Sequence, residues 1–233
     1  MPDLVSIRSA AANVALMLVL TQSACSRTAS VTPSPAEQRA LLLSPANTFW
    51  QTHAPAVWFA RVETTKGSFV VEIDRDWAPL GADRFYNLVR AGYYDDSRFT
   101  RVVPRYIAQF GIARDPEVNA IWSKAFFSDD RSYRHNARGT FGFAALGPNR
   151  RTTQIYINLV DNARVDPQDL GPIGRVVDGM DVVDVLYSGY GETAGGGIRA
   201  GKQGPLLEGG NAYIDREYPK LDRLIRIVVS DRR

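Results

Sequence analysis

Hydrophobic and polar residues alternate at several places along the chain, and the alternation predicts short β-strands. Residues 57–64 and 68–73 are rich in β-branched and aromatic side chains and flank Lys66-Gly67, which predicts a β-hairpin. Apolar runs bounded by Gly, Pro or Asn follow at 101–109, 139–145, 154–159 and 171–177, and residues 224–229 alternate like a closing strand. This series of short strands predicts an antiparallel barrel.

Two stretches have helical spacing instead. Between Pro79 and Ala91 the apolar residues Ala82, Phe85, Leu88 and Val89 recur every three to four positions, and Gly92 follows the end. A second helix is predicted over residues 180–187. The glycine-rich stretch 191–210 is interpreted as a long loop, because it lacks the spacing of a phosphate-binding loop.

The N-terminal residues have the pattern of an export signal. Arg8 lies in a short polar start, an apolar run covers residues 10–20, and Ser23-Ala24-Cys25 follow. The run is shorter than the roughly 20 residues of a membrane span. Residues 1–25 are therefore expected to direct export to the periplasm. Because Ser23-Ala24-Cys25 resembles a bacterial lipobox, Cys25 is a candidate for lipidation and would supply the only membrane contact; simple secretion is the alternative.

The remaining chain divides by composition. Residues 26–47 are rich in Ser, Thr, Pro and Ala and are expected to be a tether. Residues 48–190 hold most of the predicted strands and are expected to form the main domain. Residues 191–233 are expected to be a glycine-rich loop and a C-terminal extension that packs on that domain.

Composition and charge exclude several classes of function. The formal charge is +3, from 28 basic and 25 acidic residues, so nucleic-acid binding has little support. With one cysteine and two histidines the chain lacks a zinc motif, so no metal is expected. His53 and His135 are interpreted as structural or surface residues. The acidic pairs at 95–96 and 129–130 lie among turn residues and are expected to be solvated.

Two segments have a more specific pattern. Residues 98–111 read RFTRVVPRYIAQFG, and residues 144–157 read AALGPNRRTTQIYI. They resemble the cyclophilins, which have F-H-R-V-I-P-G-F-M-x-Q-G-G and A-N-x-G-P-N-x-N-G-S-Q-F-F-I in these places. Weaker matches extend the resemblance, in the family's order, over about residues 57–185.

This resemblance implies a mainly β fold, a closed eight-stranded antiparallel β-barrel capped by two α-helices. It also implies a peptidyl-prolyl cis-trans isomerase that acts on proline-containing polypeptides without a cofactor. Arg101 matches the family's catalytic arginine, and Gln109 matches the glutamine that bonds substrate backbone and helps hold the arginine. The matches to substrate-binding positions are Phe99, Tyr106, Ile107, Ala144, Gln154, Tyr156, Val165 and Leu170.

The chain also departs from the family pattern. Arg164, Leu170 and Ile173 stand where the family has Trp, His and Phe. The pocket stays apolar but loses a polar rim group, so isomerisation is expected at reduced or altered efficiency. The expected role is that of a monomer assisting the folding of exported proteins. Two alternatives remain open, a non-catalytic module that binds proline-containing segments and a ligand-carrying barrel.

Overall fold

The computed structural model describes residues 34–131, 133–168, 171–194 and 203–230. Its main element is one antiparallel sheet with the strand order β3-β9-β1-β2-β8-β6-β7-β5-β4. The strands are β1 (Val57–Thr64), β2 (Gly67–Asp74), β3 (Ser97–Arg98), β4 (Arg101–Val103), β5 (Ile107–Phe110), β6 (Thr140–Ala145), β7 (Arg151–Asn158), β8 (Pro172–Asp178) and β9 (Arg223–Ser230).

The predicted hairpin is present. Strands β1 and β2 pair in antiparallel register from Val57 opposite Asp74 to Thr64 opposite Gly67. Alternation buries Trp58, Ala60 and Val62 on one side of β1.

The expectation of a closed eight-stranded barrel is wrong, because the described residues form an open, curled sheet of nine strands. Its two edge strands, β3 and β4, follow each other in the chain and are separated by Phe99 and Thr100. The backbone N–H of Phe99 donates to the carbonyl of Asp222, next to β9, whereas Arg101 pairs with Gln109 on β5. The chain thus changes pairing partner within two residues, and the sheet has two edges.

Within the described residues, five α-helices accompany the sheet: α1 (Pro35–Leu42), α2 (Pro79–Arg90), α3 (Pro116–Trp122), α4 (Met180–Asp184) and α5 (Gln203–Glu217). Short 3₁₀ helices cover Thr48–Gln51 and Ala163–Gln168. The two predicted helices correspond to α2 and α4, although α4 ends at Asp184 rather than at Tyr187. Phe85 on α2 packs its ring against Trp58, Tyr94 and Phe141 in the main core.

The interpretation of residues 26–47 as a tether fails for its described part. Ser34 and Glu37 form a capping box, with the Ser34 side chain accepting from the Glu37 N–H, and α1 starts there. Leu42 is buried in the main core, and its carbonyl accepts a 2.8 Å hydrogen bond from Trp122 Nε1. Amphipathic packing of this short helix outweighs the surrounding Ser and Pro content. The other predicted domain boundaries stay predictions.

The C-terminal residues are more regular than predicted. Residues 203–210 of the expected 191–210 loop belong to α5, which kinks at Gly210 (φ 53°). A side chain there would contact the Arg114 carbonyl at 2.4 Å, so the kink requires glycine. Strand β9 pairs with both β1 and β3, so the end of the expected extension lies within the sheet. None of the described helices is long and apolar enough to span a membrane.

Candidate active site

A cavity of about 220 Å³ lies over the β4–β5–β7 part of the sheet. Strand register explains which side chains meet there. Arg101 lies opposite Gln109, Gln109 lies opposite Tyr156, and Tyr156 lies opposite Gly142. Directly opposed residues share a face of the sheet, so these four positions form a row across four strands. A side chain at position 142 would contact the Tyr156 hydroxyl at 3.1 Å and the Gly171 carbonyl at 2.8 Å.

Most of the predicted site residues line this cavity. They are Arg101, Tyr106, Ile107, Gln109, Ala144, Gln154, Tyr156 and Val165. The sequence therefore predicted a set of residues that the fold brings together. Leu170 and Cys25 lie outside the described residues, so their predicted roles stay predictions.

The prediction that Phe99 is a substrate-binding residue is wrong. It is fully buried and its ring packs edge-on against Phe110, with 5.4 Å between centroids, so it belongs to the main core rather than to the cavity. Phe99 and Arg101 would share a face only if one continuous strand ran through both residues. The break between β3 and β4 removes that alternation.

A line of amide side chains runs from Arg101 along one wall. Arg101 Nη1 donates to Gln109 Oε1 at 3.3 Å, and Gln109 Nε2 donates to Gln154 Oε1 at 2.8 Å. Gln154 Nε2 then donates to Gln203 Oε1 at 3.0 Å. The amide groups leave carbonyl and N–H groups side by side, an arrangement suited to hydrogen-bonding a peptide backbone.

Another part of the cavity lining is apolar, and we call it the floor. Ile107, Tyr156 and Val165 are each at most 5% exposed, yet all three line the cavity. The Tyr156 hydroxyl donates to Asn136 Oδ1 at 2.6 Å, so the phenol is satisfied from behind. Burial raises the pKa of Tyr156, which keeps it neutral. The floor is therefore uncharged and fits a small apolar ring.

Arg101 has two further neighbours. Its guanidinium lies 5.3 Å from the centre of the Tyr106 ring, and Arg164 lies 4.0 Å from the same ring. Arg101 Nη2 donates to Glu192 Oε1 at 2.5 Å. The pair is largely covered, with side chains 14% and 29% exposed.

The sequence did not point to Glu192, Gln203 or Leu207. Glu192 contacts Arg101, and the other two line the cavity. All three come from the glycine-rich stretch and α5, far along the chain from the family-like motifs. Because residues 191–210 were interpreted as a long loop, no sequence signal pointed to these three side chains.

The two histidines each contact an aspartate outside the cavity lining. His53 contacts Asp83 at 2.7 Å, and His135 contacts Asp166 at 3.0 Å, as a structural interpretation predicts. Within the described ranges no group of His, Cys, Asp and Glu is arranged to hold a metal.

The expectation of solvated acidic pairs is wrong at Asp130, and Asp95 is partly buried. Asp130 is 7% exposed and paired with the buried Arg151 at 3.0 Å. Burial raises the pKa of Asp95 to about 6. Chain folding thus encloses carboxylates that the local turn composition suggested were open to water.

Comparison with known proteins agrees with the resemblance seen in the sequence. The family model described as "Cyclophilin type peptidyl-prolyl cis-trans isomerase/CLD" matches residues 59–198. Peptidyl-prolyl cis-trans isomerase-like 3 of Gibberella zeae is 36% identical over 124 residues, which are 50% of this chain and 74% of that protein. Peptidyl-prolyl cis-trans isomerase-like 2 of the same fungus is 28% identical over 162 residues, 67% of this chain but 27% of that longer protein.

Solved structures support the fold. A cyclophilin-type isomerase of Cryptosporidium parvum aligns with a TM-score of 0.55 and 17% identity, covering 76% of this chain and 99% of the other. A second structure of that protein, determined in the presence of the dipeptide Ala-Pro, aligns with a TM-score of 0.54 and covers 75% of this chain and 99% of that one.

Proposed function

Since the chain belongs to the family of cyclophilin-type peptidyl-prolyl cis-trans isomerases, we propose that it isomerises X-Pro bonds of other polypeptides in the cavity beside Arg101. The observation that carries the proposal is the position of Arg101, which ends the line of amide side chains and lines the same cavity as the apolar floor.

The reaction requires rotation about a peptide bond with partial double-bond character. The barrier is about 18–20 kcal/mol, and uncatalysed exchange takes tens of seconds or longer. No bond is made or broken, so the site needs neither a nucleophile nor a proton shuttle. It needs to bind the twisted amide more tightly than either planar form.

Each part of the cavity contributes to that preference. The floor formed by Ile107, Tyr156 and Val165 accepts the proline ring, and the amides of Gln109 and Gln154 bond the flanking backbone. As the X-Pro bond twists, its nitrogen becomes pyramidal and acquires a lone pair. Arg101 presents fixed, always charged donors to this developing acceptor without rearrangement.

A second candidate is a non-catalytic module that binds proline-containing segments. The contact between Arg101 Nη2 and Glu192 favours it, because that carboxylate competes with a substrate for one guanidinium nitrogen. The cavity is nevertheless still lined by Arg101, so a bound peptide can reach the guanidinium. For this reason catalysis is the stronger proposal.

Exchange NMR on short X-Pro peptides tests the two candidates. The full chain should accelerate cis-trans exchange, and Arg101→Ala should lower kcat/KM by about 10²–10³, the usual cost of removing one preorganised donor. Arg61→Ala is the matched control, because Arg61 is an exposed arginine on β1, away from the cavity. Peptide binding without acceleration by the unmodified chain would favour the binding module and refute the enzyme.

We further propose that the protein is exported, acts as a monomer on exported polypeptides and is attached to the membrane through lipidated Cys25. The support is the N-terminal sequence, with Arg8, the apolar run 10–20 and the Ser23-Ala24-Cys25 motif. Expression in a Gram-negative bacterium, fractionation and mass spectrometry of the N-terminus test this. Wild type should be membrane-bound and acylated, and Cys25→Ser should be released. An unacylated wild type would refute the anchor.

A further inference from the structure

The guanidinium of Arg101 needs external restraint. Arg101 lies on β4, a three-residue strand at the edge of the sheet that pairs only with β5 among the described strands. An arginine side chain has many rotamers and loses this conformational entropy when it is held in one geometry. A donor that acts on a transition state must already be oriented before reaction.

The contacts on the β-sheet side restrain it weakly. The hydrogen bond to Gln109 is 3.3 Å long, and the ring of Tyr106 is 5.3 Å from the guanidinium carbon. The short, charged hydrogen bond from Arg101 Nη2 to Glu192 Oε1 is stronger than either of these two contacts. Charge-assisted hydrogen bonds are roughly twice as strong as neutral ones.

Glu192 is itself held in place. Next to it, Gly191 adopts a left-handed conformation (φ 51°), and the N–H of Thr193 donates to the Tyr190 carbonyl at 2.7 Å. Tyr190 packs edge-on between Tyr187 and Tyr218, with ring centroids 5.2 and 5.3 Å away. Tyr218 also donates its hydroxyl proton to the carbonyl of Thr193 at 3.2 Å.

The segment that carries these residues is pinned to the sheet. Ala194 is fully buried in a small apolar cluster with Leu206 and Ile214 of α5. The Arg98 guanidinium on β3 forms two 2.8 Å bonds to Asp215 of the same helix. The backbone on either side of Glu192 is therefore tied by hydrogen bonds and packing, and the Glu192 carboxylate accepts a hydrogen bond from Arg101 through one oxygen.

We propose that Glu192 is a positioning residue of the isomerase site, which orients the Arg101 guanidinium through their ion pair and makes the turn before α5 part of the active site. This inference rests on the proposed isomerase function. Glu192 does not touch the substrate; it acts through Arg101, so its loss lowers kcat and leaves KM for a peptide held by the apolar floor unchanged.

Three variants of the full chain test the role by exchange NMR. Glu192→Ala should lower kcat roughly tenfold at constant KM, within the range of up to about a hundredfold that a misplaced group costs. Glu192→Gln keeps an acceptor oxygen of the same shape and should recover most of the rate. Glu208→Ala is the matched control, since Glu208 is an exposed carboxylate on α5 outside the cavity lining and should behave as wild type.

A double-mutant cycle separates positioning from a general effect on folding. In an Arg101→Ala background, Glu192→Ala should change the rate no further, because residues that act through one another are not additive. An unchanged or increased kcat in the Glu192→Ala single variant would overturn the proposal, the increase by showing that the carboxylate inhibits. Equal losses in both backgrounds would also overturn it.

The ¹⁵N spectrum of the Arg101 guanidinium, assigned with Arg101→Lys, gives a readout that does not depend on catalysis. Rotation about its C–N bonds should be slow in wild type, intermediate in Glu192→Gln and fast in Glu192→Ala. If wild type shows slow rotation but no isomerisation, the proposed function fails while the orienting contact stands. Fast rotation in wild type refutes the positioning role whatever the activity.

Discussion

Replacing Asp130 with alanine is expected to destabilise the fold strongly, although Asp130 lies in a stretch that reads as a surface turn. Its carboxylate is buried and has three partners. Oδ2 lies 3.0 Å from Nη1 of Arg151 on β7, and the N–H groups of Leu80 and Gly81 in the first turn of α2 donate to Asp130 at 2.8 and 2.9 Å. One side chain thus joins a strand of the site to the start of a core helix.

The magnitude follows from what is left behind. The Asp130 and Arg151 side chains are 3% and 2% exposed, so the variant leaves a guanidinium in the interior with less compensation. Breaking a buried pair by removing one partner costs about 3–5 kcal/mol. Asp129 still lies 3.0 Å from Arg151 Nε and limits the loss. We therefore expect about 4 kcal/mol, a large part of the roughly 5–15 kcal/mol that stabilises a typical domain.

Urea unfolding followed by tryptophan fluorescence measures this cost as a shift of the midpoint at constant m. Asp129→Ala is the matched comparison: its carboxylate is 20% exposed, and its contact with Arg151 Nε lacks hydrogen-bond geometry. It should cost about 1–2 kcal/mol. Adding Arg151→Met to Asp130→Ala should recover stability, because the uncompensated charge is removed. A loss below about 1 kcal/mol for Asp130→Ala, or equal losses for the two aspartates, would refute this reasoning.

Three further predictions concern single side chains. Gly81→Ala should lower stability by about 1–3 kcal/mol despite alanine's higher helix propensity, because the new methyl group would meet Ile173 at 2.8 Å; urea unfolding checks the sign. Asp95, whose pKa burial raises to about 6 from 3.8, binds its proton more tightly when folded, so its stabilising contribution is present below about pH 4 and lost as pH rises through 6. Asp95→Asn should accordingly gain stability over wild type at pH 8 and not at pH 4, and the reverse order in thermal melts would contradict the assignment. Tyr156→Phe should keep the isomerase rate, since the hydroxyl bonds Asn136 behind the floor, and lose about 1 kcal/mol of stability; a tenfold rate loss would place that hydroxyl in the reaction.

Local patterns were sufficient for the elements whose partners lie nearby in the chain. The β1–β2 hairpin and helix α2 could be predicted, because alternation and helical spacing directly report which face of a segment is buried. Helix α1 was missed for a different reason. Its capping box at Ser34 and Glu37 was visible in the sequence, but averaging composition over residues 26–47 concealed it.

The prediction of a closed barrel was wrong because the periodicity of apolar residues does not show which strands pair with each other. Alternation through residues 97–103 is compatible with one strand, and only the partners of the backbone show that the strand divides at Phe99 and Thr100. The same division moved Phe99 from the site to the core. Phe99 had been included because it matches the family motif beside Arg101, and a motif read along the chain does not show where the backbone changes its pairing partner.

Some residues of the site could be predicted from the sequence and others could not. Arg101, Gln109 and Tyr156 lie directly opposite one another on neighbouring strands. The family-like motifs, read along the chain, therefore included residues that share one face of the sheet. Glu192 lies 91 residues beyond Arg101, and its approach depends on a left-handed turn at Gly191, a stack of tyrosines and a pinned helix. No local sequence pattern in these features predicts a contact with Arg101. A family motif can thus specify which groups perform a reaction, while the residue that orients them is contributed by a separate segment whose position only tertiary packing determines.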